Sequence, residues 1–226
     1  MNKYLDRIEG LVGKDNIKLL KKKKVLICGV GGVGSFVAEA LARSGVGKLI
    51  LVDFDVIDST NLNRQLMTNK NNIGKVKVEE LKKRLEEISD CDVKVINTYI
   101  DEKFKLMKCD YVVDCIDSLD SKFALVKKAH EKNIPILSSL GTARRLKPIN
   151  IKRTTLDKTQ NDPLAKAFRA LVRKENYRKK INVAFVDTPA VKSKELCSSI
   201  FTVGSAGLFI ASEVYSDLLK EKENEI

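Results

Sequence analysis

Four short polar clusters carry most of the chemistry this chain could do. They are Asp53-Phe54-Asp55, Asn61-Leu62-Asn63-Arg64-Gln65, Gly74-Lys75-Val76-Lys77 and Asp114-Cys115-Ile116-Asp117-Ser118. Cations and carboxylates in this company suit a phosphoryl-handling site. Arg64 and Lys77 can neutralise the β- and γ-oxygens of a triphosphate, and a carboxylate such as Asp117 can hold magnesium. Taken singly each has a plainer reading, Arg64 as a surface ion pair and Lys77 as a solvated helix residue. Their conjunction favours the chemistry.

The segment Gly29-Val30-Gly31-Gly32-Val33-Gly34 has the spacing G-x-G-x-x-G. It follows the apolar run Val25 to Val30 and precedes a stretch with helical spacing, Phe36 to Arg43. Glycines permit the tight turn and bring backbone N–H groups against phosphate at a helix N-terminus. Asp53 ends the second apolar run, 19 residues beyond Gly34, and is placed to accept hydrogen bonds from a ribose. Strand-end capping is its plainer alternative. Alone, these features fit a dinucleotide enzyme as well as an ATP site. A hydride-transfer enzyme has little use for the polar groups after Asp53, so ATP is favoured.

Elements of a particular kind must hold these residues. Val25 to Val30, Leu49 to Val52, Val93 to Ile96, Tyr111 to Val113 and Ile136 to Leu137 read as buried strands. Asp117 is expected at the end of the fourth, where ligand crevices of open α/β sheets lie. Phe36 to Arg43, Val76 to Ile88 and Lys122 to Lys132 read as helices, with Val78, Leu81, Leu85 and Ile88 forming one apolar stripe. The alternation predicts an α/β fold, a Rossmann-like, doubly wound and mostly parallel sheet. Past Gly141 the rhythm breaks. Pro148 to Thr155 reads as extended, Pro163 to Lys174 as a basic helix with proline in its first turn, Val183 to Val186 as a strand and Val203 to Leu219 as a closing helix. Antiparallel strands should complete the sheet there. The whole of 1–226 is expected to be one domain: a helical arm (1–23), a nucleotide-binding core (24–140) and a basic substrate-binding and closing segment (141–226).

Composition narrows the class further. With 226 residues, 43% of them hydrophobic and 32% charged, the chain is that of a globular protein. Its longest plain apolar stretch, Ala206 to Ala211, falls far short of the roughly 20 residues a membrane helix needs, and Asp6, Arg7 and Glu9 interrupt any signal core. A cytoplasmic protein is expected. The five cysteines include no C-x-x-C pair, which argues against structural zinc and a disulfide framework. Cys28 and Cys115 should be buried small hydrophobes. Cys197 is a possible nucleophile without a histidine near it in sequence, and His130, the sole histidine, is expected at the surface of a lysine-rich helix. Of the net charge of +12, residues 141–180 hold +10, from 13 lysines and arginines against three acids. A basic block in an otherwise near-neutral chain suggests a polyanion-binding surface, with solvated helix faces as the plain alternative.

The motifs GVGGVGS, VDFD followed by NLNRQ, IGKVKVE and CIDS together resemble the ThiF/MoeB/HesA superfamily, relatives of ubiquitin-activating enzymes. The resemblance implies that a terminal carboxylate attacks the α-phosphate of ATP, giving an acyl-adenylate and pyrophosphate. By motif match Gly31 and Gly32 would lie by the phosphates and Asp53 on the ribose. Asn61, Arg64 and Lys77 would engage the triphosphate, and Asp117 would bind magnesium. Gly29, Gly34, Asp55, Asn63, Gln65 and Ser118 complete the candidate set. Such proteins are typically homodimers in which an arginine near the N-terminus enters the partner's site, and Arg7 matches that position, though it could equally be a helix-face charge.

A closer resemblance covers nearly the whole chain. RIEGLVG, ALARSGVGKL, NIPILSSLGTARRLKP and TQNDPLAKAFR are similar to the tRNA threonylcarbamoyladenosine dehydratases. This implies adenylation of the threonyl carboxylate on the modified adenosine beside the anticodon, then closure onto the carbamoyl nitrogen with release of AMP. The tRNA anticodon stem-loop would contact the 141–180 block. The resemblance leaves open a bound monovalent cation and a sulfur-transfer partner, and the compact segment Tyr177 to Ser199 puts in question any contact made by a longer C-terminal region. Two other readings remain. An activator of a ubiquitin-like or sulfur-carrier protein fits the same core, but normally carries the paired zinc cysteines missing here. A nucleotide-sensing or tRNA-binding scaffold needs no catalysis, yet Arg64, Lys77 and Asp117 are all retained.

Overall fold

The computed structural model describes residues 3–147, 150–193, 195 and 197–220. Six strands run parallel and a seventh antiparallel. β1 (Lys24–Cys28), β2 (Lys48–Asp53), β3 (Asp92–Asn97), β4 (Tyr111–Asp114), β5 (Ile136–Ser139), β6 (Ile151–Thr155) and β7 (Asn182–Val186) form one sheet in the order β3-β2-β1-β4-β5-β7-β6. The helices are α1 (Asp6–Val12), α2 (Lys14–Leu20), α3 (Gly32–Arg43), α4 (Lys77–Ile88), α5 (Leu119–Glu131), α6 (Pro163–Lys174) and α7 (Ile200–Lys220). Among the described residues no helix is long and apolar enough to cross a membrane.

Strand alternation divides the interior into two cores. Val25 and Ile27 face the side covered by α2, α3, α4 and α7, while Leu26 and Cys28 face α5 and α6. A strand buried on both faces has no reason to alternate polar and apolar residues, which explains the unbroken run at β1. The expected antiparallel completion is confined to one pair. β7 extends the parallel sheet beside β5, with Ser138 opposite Val183, and only β6 runs antiparallel, with Arg153 opposite Ala184. The link through α6 leaves and re-enters the sheet at the same end, with Thr155 opposite Asn182, so β7 runs opposite to β6 and in the common direction. Of the extended segment expected from Pro148, residues 148–149 lie outside the described residues.

The topology places the site. Chain order reverses between β1 and β4, and in such sheets the crevice opens beyond the carboxyl ends of the strands at this switch point. α7 fixes the helix that faces the crevice. A β-carbon on Gly207 would lie 2.6 Å from that of Phe36 and 2.7 Å from the Val33 carbonyl oxygen, so only a glycine lets α7 approach α3 this closely. Val203 packs directly under Gly32 at the first turn of α3.

Candidate nucleotide site

The turn from β1 to α3 lies at the floor of a cavity of about 490 Å³. Gly29 has φ +83, a left-handed conformation that glycine adopts without strain. Among the described residues no side chain caps the N-terminus of α3 at Gly31. Its first-turn N–H groups are therefore open to a ligand, as an anion site requires. Gly31 and Gly32 line the cavity. Gly34 does not. It serves the helix–turn contact instead, its α-carbon set against the Gly29 carbonyl.

Asp53 closes the turn from the side. One carboxylate oxygen accepts the Val30 N–H at 2.7 Å and the other the Asp55 N–H at 2.9 Å. Each oxygen keeps a further lone pair for a ligand hydroxyl. Beyond Asp55 the chain pairs with the approach to α4: Ile57 N–H donates to the Lys75 carbonyl at 2.8 Å, and Lys77 N–H to the Asp55 carbonyl at 3.0 Å. This places the Lys77 ammonium 2.7 Å from the Asp55 carboxylate, with the lysine side chain 7% exposed and the aspartate 45%. Lys77 is thus a nearly buried cation facing the cavity, not a solvated helix charge.

Arg64 follows a short 3-10 turn, Ser59–Asn61, braced by a capping box in which Asp58 accepts the Thr60 N–H and Asn61 accepts the Asp58 N–H. Its guanidinium donates to the Thr60 carbonyl at 2.7 Å and to the Asn63 amide oxygen at 2.8 Å, and it lines the cavity. Asn63 is outside the cavity, and its own NH2 reaches the Ser198 carbonyl at 3.0 Å. Asn63 therefore supports Arg64 and is no direct ligand candidate. Gln65 does line the cavity, and its buried Oε1 has no hydrogen-bond partner among the described residues. An orphaned buried acceptor of this kind is costly unless a ligand or water satisfies it.

Asp117 is exposed at the cavity rim, three residues past the end of β4 at Asp114. Contrary to the expectation, it does not end the strand, which stops where Asp114 turns inward and is fully buried. Ser118 caps α5 positionally without a side-chain bond, and its hydroxyl meets that of Tyr99 at 3.4 Å, outside the cavity lining. Arg7 is exposed on α1 and does not line its own chain's cavity.

The structure corrects three other expectations. Cys115 lines the cavity half-buried, and burial pushes its thiol up to about 12, which leaves it un-ionised at neutral pH. Cys28 is fully buried as expected, and Cys197 is exposed. His130 is half-buried, with its ring stacked on Tyr177 and hydrogen-bonded to the tyrosine hydroxyl; burial, and secondarily the Lys179 charge, hold it below its ordinary pKa. The basic block is also less free than its charge suggested. Arg145 is buried and donates to the carbonyls of Thr188, Gly141, Ala143 and Asn161. Arg153 pairs with Glu213 and Asp217, Lys152 with Asp187, and Arg169 binds Thr159. Segments far along the chain supply partners to Arg145, Lys152 and Arg153, which no local charge count can foresee. Lys158, Lys166, Arg173, Lys174, Arg178 and Lys180 remain exposed.

Sequence reasoning missed the second wall of the cavity, from Ser139 to Ala143, and the aromatic rim. Phe54 and Tyr99 meet edge to face at 5.1 Å between ring centres. Tyr99 stands just past β3, and the rule that ligands gather at strand carboxyl ends was the available signal. The fold and site together define a nucleotide-binding protein of the doubly wound α/β class.

The model of the ThiF family matches residues 4–226. A tRNA threonylcarbamoyladenosine dehydratase of Bacillus subtilis is 36% identical over 96% of this chain and 95% of its own length. That of Haemophilus influenzae is 32% identical over 98% and 97%. Among solved structures, the Escherichia coli tRNA N6-threonylcarbamoyladenosine dehydratase in complex with ATP superposes with a TM-score of 0.93 at 27% identity, over 99% of this chain and 97% of that one. The same enzyme is also known in complex with AMP. The chain belongs to the ThiF family, in its tRNA threonylcarbamoyladenosine dehydratase branch.

Proposed function

We propose that this chain is an ATP-dependent enzyme that cyclises threonylcarbamoyladenosine in tRNA through an acyl-adenylate. The observation that carries the reading is one cavity in which an uncapped helix N-terminus, Lys77, Arg64, Asp53 and Asp117 converge. Its volume, about 490 Å³, falls in the usual range for small-molecule sites. The phosphates lie against Gly31 and Gly32, and the ribose against Asp53. An oxygen of the threonyl carboxylate attacks the α-phosphorus, the bond to the β-phosphate breaks, and pyrophosphate leaves with the electron pair. Lys77 and Arg64 stabilise the charge that gathers on the leaving phosphates. The carbamoyl nitrogen then attacks the acyl carbon, loses its proton, and AMP departs carrying the carboxylate oxygen. This nucleophile is tethered to the substrate, so proximity supplies much of the second step and no enzyme cysteine is required.

The donor set fits magnesium. Asp117 has no hydrogen-bond partner among the described residues, and magnesium typically takes one or two carboxylates together with substrate phosphate oxygens. Bound there, the ion would reduce the negative charge of the triphosphate. The reading is completed by a cytoplasmic homodimer in which Arg7 serves the partner's cavity.

Incubation with ATP and threonylcarbamoylated tRNA should release AMP and yield a nucleoside lighter by one water, read by mass spectrometry of the digested tRNA. AMP formed only with a protein ending in Gly-Gly would overturn the assignment. The exposed part of the basic block takes the tRNA backbone. Changing Lys174, Arg178 and Lys180 together to alanine should weaken tRNA binding and lower the slope of log affinity against log salt by roughly 2 to 3. Filter binding across a salt series measures both, and an unaltered slope would leave these residues as solvated surface.

A further inference from the structure

Lys122 is a lysine where helix geometry calls for an apolar residue. It lies on the inner face of α5 beside Phe123 and Val126, and its side chain is 0% exposed. The ammonium donates to the Asp114 carboxylate at 2.8 Å and to the Ser139 carbonyl at 2.9 Å. Asp114 is equally buried, and its other oxygen accepts the Ile116 N–H at 3.0 Å. One cation thus joins the carboxyl ends of β4 and β5 to the first turns of α5.

Such a pair is a poor device for stability alone. Desolvating two charges costs several kcal/mol per ion, and apolar residues of similar volume often serve as well or better. Its location suggests another use. The segment between Asp114 and α5 carries Asp117, whose carboxylate has no bond of its own among the described residues. That segment is held by bonds from its own N–H groups: Cys115 N–H to the Cys28 carbonyl at 2.7 Å, and Ile116 N–H to the Asp114 carboxylate. The second bond ends on a carboxylate whose other oxygen Lys122 holds. The Ser139 carbonyl, on the same ammonium, begins the opposite wall of the cavity.

We propose that the buried Lys122–Asp114 pair is a positioning strut that aims Asp117 into the nucleotide cavity. The proposal rests on the assignment of Asp117 given above. Partners that orient a metal-binding group from behind commonly matter by roughly 10- to 100-fold in metal affinity.

The test separates positioning from packing. ATP affinity is measured by calorimetry with magnesium and with EDTA, alongside thermal unfolding, for the parent, Asp117→Asn, Lys122→Met and the double variant Lys122→Met/Asp114→Leu. Lys122→Met strands a buried carboxylate and should unfold at lower temperature. The double variant removes both charges and should regain the parent's unfolding temperature, while its gain in ATP affinity from magnesium falls by roughly 10- to 100-fold, as in Asp117→Asn. Affinity in EDTA should change little. A double variant that regains stability and keeps the magnesium gain overturns the strut. If that variant does not fold, Lys122→Met/Asp114→Asn, which also removes both charges but keeps the shape of Asp114 and an acceptor for the Ile116 N–H, is read by the same criterion. Should Asp117→Asn itself keep the gain, the Asp117 assignment fails and the strut with it. AMP release by the parent on threonylcarbamoylated tRNA reports separately on the reaction.

Discussion

Lys77→Ala should lower single-turnover AMP formation at saturating ATP by about 10²- to 10³-fold, the scale seen when one preorganised charge-stabilising donor is removed. The size of the effect follows from where the ammonium sits. Lys77 is the first residue of α4, where the helix dipole disfavours a cation, and its side chain is 7% exposed. Local rules would place an acid or a small polar residue there. Asp55, 2.7 Å away, offsets the cost and holds the ammonium in place before any ligand arrives. A charge so held needs little reorganisation when negative charge develops on the leaving phosphates. Stability should change little, because the abandoned Asp55 is 45% exposed and can hydrate. Arg64→Ala should cost less, since its guanidinium is turned back on Thr60 and Asn63 and must be recruited. Rapid-quench measurement of AMP decides the matter, and a Lys77→Ala rate equal to the parent's would remove Lys77 from the adenylation step.

Features written in short stretches of sequence were legible. The buried strands β1, β2 and β4 show as apolar runs, α4 as a stripe at helical spacing, and the phosphate turn as glycines between a strand and a helix. Of the candidate site, Gly29, Gly31, Gly32, Asp53, Asp55, Asn61, Arg64, Gln65, Lys77 and Asp117 do gather in one cavity. What escaped depends on partners far along the chain. Nothing local gives Lys122 a partner until β4 and β5 close around it, and Arg145 reads as part of a polyanion-binding charge until four carbonyls enclose it. Asn63 sits inside a nucleotide motif yet turns away to Ser198, 135 positions later. In each case the side chain's partner is set by tertiary closure, and periodicity carries no trace of it.

The glycine turn, the most legible feature, also yields the sharpest separation of folding from binding. Gly34 and Gly31 are three residues apart and look interchangeable in the motif, but their surroundings differ. A β-carbon on Gly34 would lie 1.9 Å from the Gly29 carbonyl oxygen and 3.3 Å from the Cys115 β-carbon. The first obstacle is backbone, which cannot rotate aside, so α3 must back away from the turn and the sheet. Gly34→Ala should therefore lose about 3 kcal/mol or more of stability, at the upper end for overpacking. A β-carbon on Gly31 meets only the Gln65 amide nitrogen, at an ordinary 3.7 Å, but it projects beside the open N–H groups of α3. Gly31→Ala should unfold near the parent's temperature and yet bind ATP more weakly, because close approach of phosphate to the backbone is what the missing side chain permits. Thermal unfolding and ATP titration of the two variants measure the contrast. A Gly34→Ala protein as stable as the parent would mean that the turn and helix are not held as close as this packing requires, and a Gly31→Ala protein with full ATP affinity would move the phosphates away from the first turn of α3.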